Sequence, residues 1–188
     1  MATRTTHRQV NAGTGGGGGI GAVPEADGQR TVPRLTSKQV WRALARASFA
    51  VLSYVTPSGE PRSSGVVYKL ADRRLYMAVE PHSWKAKHVR ASGQVAVTVP
   101  VRRGGILSLV APIPPATITF HGAAIVHSAD SPRGPSLLKE LGSLIPPERR
   151  ASGSVIEIVP EGDFLTYALG VPLRKMLDPV AAQARVPV

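Results

Sequence analysis

Cysteine is absent from the 188 residues, which excludes disulfides and thiolate metal sites. Long apolar runs are missing too. None approaches the ~20 residues of a membrane-spanning helix, so no membrane partner is expected. The N-terminus is polar and then glycine-rich, without the apolar stretch of a secretory signal. These absences point to a cytoplasmic protein. Acidic residues are few, 12 against 23 lysines and arginines, and they are sparse between Arg62 and Val126. Catalysis by paired carboxylates is therefore not expected there. No serine stands in a recognisable nucleophile elbow, and no repeat of about 20–50 residues recurs.

What is present fits one domain, with 43% hydrophobic residues to build its core. The formal net charge of +11 asks for an acidic partner: nucleic acid, anionic lipid or a phosphorylated cofactor. Arg73-Arg74, Arg102-Arg103 and Arg149-Arg150 are isolated doublets. A duplex-binding stripe is denser and comes with a recognisable module. Neither is visible, so nucleic acid is not the expected partner. His82, His88, His121 and His127 are scattered through the folded region. The last two fall six apart along one extended stretch, ~20 Å from each other and too far to share a metal. No metal site is expected.

Residues 1–34 are rich in Thr, Gly and Arg. Such a stretch buries too little apolar surface to offset its conformational entropy, and a disordered tail is expected. Gly13-Thr14-Gly15-Gly16-Gly17-Gly18 satisfies the dinucleotide pattern G-x-G-x-x-G. Yet Thr5 to Asn11 is too polar for the preceding strand, and Pro24 stands where the helix should run. A flexible linker is the better reading.

Order is expected over residues 35–188. Thr36 and Gln39 form a capping box ahead of Val40, Trp41, Leu44 and Ala47 at helical spacing. Strands are predicted over Phe49–Thr56, Arg62–Leu70, Leu75–Val79, Gln94–Val101, Ala116–Val126, Val155–Val159 and Phe164–Leu169. Short helices are predicted at Lys85–Ala91 and Leu137–Leu144. The connection from Gly104 to Pro115 carries Ile106, Leu107, Leu109 and Val110, unusual for an exposed loop. The pattern is mainly β with short helices and fits a closed antiparallel barrel.

His82-Ser83-Trp84-Lys85-Ala86-Lys87 opens the second helix. Free amides point outward at a helix N-terminus, and the dipole favours negative charge there. Ser83 is placed to cap the helix and to meet a phosphate oxygen. Lys85 sits in the first turn, where a cation is unfavourable unless an anion lies beside it. Lys87 either faces the same way or is solvated.

The order of elements around this segment resembles the pyridoxamine-phosphate-oxidase-like, FMN-binding split barrels, over roughly residues 35–188. That family's Arg-x-Val-Leu-x-Lys strand corresponds to Ser64-Gly65-Val66-Val67-Tyr68-Lys69, with Ser64 in place of Arg and Lys69 retained. Its Ser-Arg-Lys helix start corresponds to Ser83-Trp84-Lys85, with Trp84 in place of Arg. A Gln that meets the flavin ring from the fifth strand falls at Thr117. Arg62 or Lys87 would have to replace the missing arginines. Trp84 lies either against a ring system or in a core or interface.

The resemblance implies a six-stranded antiparallel split β-barrel and a flavin phosphate, FMN, held by Ser64, Val66, Val67, Tyr68, Lys69, Ser83, Trp84, Lys85, Lys87 and Thr117. It implies an oxidoreductase acting on an unidentified small molecule. A deazaflavin-dependent reductase on the same fold, or a non-enzymatic flavin- or nucleic-acid-binding module, are the alternatives. The oxidase proper is a poorer match, because its C-terminal Arg-x-His pair has no histidine counterpart in Gly170–Pro179. Split barrels of this kind usually form homodimers with the cofactor at the interface. A small barrel is filled by its own side chains, so a ring cofactor must lie outside it and needs a second subunit to enclose it. Ile106–Ile113 and Leu173, Met176 and Leu177 are the expected covering surfaces.

Overall fold

The computed structural model describes residues 35–103, 114–142, 145, 153–176 and 178–188. The tail 1–34, the apolar connection Ile106–Ile113 and Leu177 lie outside them.

Thr36 begins α1 (Ser37–Arg46) with both halves of the capping box. Its Oγ1 accepts from Gln39 N at 3.4 Å, and Gln39 Oε1 accepts from Thr36 N at 2.8 Å. Val40, Trp41 and Leu44 form the buried face. Then come β1 (Phe49–Val55), β2 (Pro61–Val67), β3 (Lys69–Ala71), β4 (Arg74–Val79), α2 (Trp84–Ser92) and β5 (Gln94–Val101). After β6 (Ala116–Ser128), α3 (Gly134–Glu140) and β7 (Ser154–Tyr167), a 3-10 turn (Leu173–Lys175) and α4 (Pro179–Ala182) lead into β8 (Gln183–Pro187). No helix among the described residues is long and apolar enough to cross a membrane.

The strands form one antiparallel sheet in the order β2-β1-β5-β6-β7-β4-β3, with β8 added to β7. The sheet curls into a half-barrel. Leu52, Leu75, Met77, Val97, Ile118, Ile156, Ile158 and Phe164 fill its inside, all fully buried. Phe164 takes Trp41 of α1 and Phe120 of β6 edge-on, with ring centroids 5.1 and 5.4 Å away. α1 thus closes the barrel through one aromatic stack.

Among the described residues the sheet has eight strands rather than six. The expected strand Arg62–Leu70 divides at Tyr68, whose amide bonds Ser48 O at 2.9 Å. Two predicted strands, over 155–159 and 164–169, are in fact the single β7. Thr119 pairs Leu165 while His121 pairs Glu161, so β7 carries extra residues as a bulge, and Gly162 takes φ +68° within it. β8 was not expected at all.

Candidate functional site

β2 ends the sheet, and its side chains alternate. Val66 is buried, as is Tyr68 just beyond the strand, while Gly65 and Val67 are exposed on the outer face. Tyr68 Oη donates to Leu44 O at 2.6 Å, and burial raises its phenol pKa. Side chains of Val66 and Tyr68 therefore belong to the core, leaving only their backbone to a ligand. Ser64 Oγ is buried without a hydrogen-bond partner among the described residues. Lys69 points elsewhere: its Nζ donates to Glu140 O at the end of α3, at 3.0 Å.

The start of α2 is built as the residue types require. Ser83 is the N-cap; its Oγ accepts from Ala86 N at 3.3 Å and donates to Glu80 O at 2.8 Å. The amides of Trp84 and Lys85 have no helical carbonyl to reach. Lys85 is half-buried, burial lowers its pKa, and no carboxylate pairs with it among the described residues. Trp84 is 72% exposed, which removes the core reading. Lys87 Nζ lies 5.0 Å from its ring centroid, and His88 stacks beside it at 5.8 Å. His88 in turn lies 5.9 Å from Tyr54, the cross-strand neighbour of Arg62. Arg62 is exposed and bonded to Glu60 at 2.7 Å. Ser83, Trp84, Lys85 and Lys87 are thus one cluster, to which Tyr54 and His88 add an aromatic row that sequence reasoning missed.

No family model matches the chain, and no curated protein matches its sequence. Solved structures do. The heme storage protein HutZ from Vibrio cholerae is similar at a TM-score of 0.57 and 14% identity, covering 72% of this chain and 96% of its own. A Listeria innocua protein named for pyridoxamine 5'-phosphate oxidase matches at 0.50 and 20%, covering 66% and 92%. An F420 reductase matches at 0.50 and 19%, covering 65% and 93%. The fold is the pyridoxamine-phosphate-oxidase-like split barrel.

On the outer face of this split barrel one row runs Gly65–Val51–Thr98–Thr119–Leu165–Arg185 across six strands. Phe49, Val67, Leu165 and Tyr167 leave 46, 49, 46 and 37% of their surface open there. Thr117 belongs to this face, opposite Pro100 and Tyr167. It does not join the α2 cluster, but lines a separate groove of about 490 Å³ with residues of β7 and β8.

A second polar centre was not anticipated. Glu157 of β7 is fully buried beneath α3 and accepts from Arg74 Nη1, from His127 Nε2 at 2.7 Å and from Arg133 Nη1 at 3.3 Å. Burial alone would raise its pKa. The hydrogen bonds from Arg74 and His127, with the two guanidinium charges, outweigh that and hold the carboxyl below its ordinary value. The available signal was one charge inside the apolar run Val155–Val159. Among the described residues no group of acidic, His or Cys side chains is arranged to hold a metal.

Proposed function

We propose that the chain is an FMN-binding oxidoreductase acting on a small molecule, working as a homodimer with the flavin between its subunits. One observation carries the reading. Lys85 is half-buried without a carboxylate partner among the described residues, at a helix start with two free amides. A phosphate supplies the missing negative charge, with the Lys85 ammonium and the amides of Trp84 and Lys85 as its partners, while the Ser83 hydroxyl, already donated to Glu80 O, holds the helix start in place. Arg62 and Lys87, already set against Glu60 and Trp84, contribute less. Trp84 and Tyr54 offer flat surfaces beside the phosphate, and the exposed backbone of β2 lies along the same edge.

Flavin, when bound, supplies hydride or electron transfer at its own ring, so the protein needs only to position and enclose it. Enclosure is the reason for the dimer. The exposed apolar side chains of Phe49 and Val67, at the β1–β2 end of the outer face, suit a second copy of the same surface, and two-fold symmetry makes two equal sites. A second reading keeps the site but fills it with a deazaflavin coenzyme, whose acidic tail suits the +11 charge. It is favoured by the likeness to a reductase named for such a coenzyme. Titration of the purified chain with FMN and with the deazaflavin, read by absorption, separates the two. Binding of neither would remove both.

A further inference from the structure

We infer that the groove on the outer face of β6, β7 and β8 binds a flat organic carboxylate, with its charged end on Arg185. Its volume of about 490 Å³ falls among ordinary small-molecule sites, roughly 300–1,000 Å³. Three adjacent strands supply its lining, so the side chains stand on rigid backbone. Leu165 and Tyr167 are exposed there and give an apolar wall for a flat body. The side chains of Thr117 and Gln183 line the same space and make no side-chain hydrogen bond among the described residues. These groups lie free to fix a ligand's orientation.

Arg185 is the single cation of the lining among the described residues. Its Nε is 3.7 Å from Asp163 Oδ2, a loose contact, and among the described residues the two terminal nitrogens have no partner. A guanidinium fork matches a carboxylate through two parallel hydrogen bonds. A dianion would call for more positive charge than one arginine beside an aspartate provides. A single carboxylate fits that balance. As a binding site the groove stands on these residues alone. As the substrate's seat it rests on the flavin reading above, since Thr117 is where the resemblance brings in the ring.

The test uses the full chain, with benzoate as probe and benzamide as its neutral isostere, each titrated calorimetrically with and without FMN. Benzoate is expected to bind at least about tenfold tighter than benzamide, as a charge-assisted pair implies. Arg185→Gln is expected to erase that preference without altering FMN affinity, and Thr117→Val to weaken both probes. Equal affinity of the two probes, no binding of either, or an unchanged preference in Arg185→Gln would overturn the site. Displacement of benzoate by FMN would overturn its role as the substrate's seat, because the ring itself would then fill the groove. Failure of FMN to bind is read separately in the same samples. It would remove the flavin reading while leaving the comparison of probes intact.

Discussion

The ring of Phe49 lies over Gly65 of the neighbouring strand, so close that a Cβ on Gly65 would stand 2.9 Å from Phe49 Cε2. The glycine lets an aromatic lie flat on the outer face, where Phe49 remains 46% exposed. A flat apolar surface of this kind suits a second subunit. Phe49→Lys should therefore yield a monomer in light scattering at micromolar concentration, with weakened flavin retention. Chain stability should stay within about 0.5 kcal/mol, as for other exposed substitutions. A wild-type monomer that holds FMN stoichiometrically would sink the shared site.

Glu157 predicts an acid-sensitive fold. Its carboxyl pKa is lower in the folded chain than in the unfolded one. The stability it contributes is present above the unfolded carboxylate value, about pH 4.3, and is lost as pH falls through the folded value. Melting temperature should fall steeply below about pH 4.3, and Glu157→Gln should flatten that part of the curve. The same substitution should cost about 1.5–3 kcal/mol near neutral pH, because it weakens hydrogen bonds to a buried charge. Parallel curves for wild type and variant would show that Glu157 is not the responsible group.

Tyr68 separates core from site. Its hydroxyl satisfies a carbonyl in the last turn of α1 that has no helical donor. Tyr68→Phe should cost about 1–3 kcal/mol through that stranded carbonyl. Flavin affinity should not change, since the side chain points inward. A variant of normal stability with impaired flavin binding would place the phenol in the site instead.

Much of this was legible because short-range chemistry decides it. The capping box at Thr36, the Ser83 cap with its lysine, and β5 from Gln94 to Val101 depend on neighbours within a few residues, and each lies where the spacing puts it. Features set by distant partners were not legible. Pro160 and Gly162 look like a break, yet β6 pairs on both sides of them and keeps β7 whole. Gln183–Pro187 becomes a strand only through its ladder with β7. The Glu157 centre gathers residues 74, 127, 133 and 157, which no local pattern connects. Residue type likewise gave no way to know that Tyr68 would turn inward while Trp84 stayed exposed.

The central claim is that Lys85 and the start of α2 hold a flavin phosphate, and one titration tests it most directly. FMN is added to wild type and to Lys85→Glu, and binding is followed by quenching of flavin fluorescence. The account predicts saturable binding by wild type and an affinity lower by at least about tenfold in the variant, as reversal of a charge-assisted contact implies. Equal affinity in the two proteins would contradict it and move the phosphate to another part of the barrel.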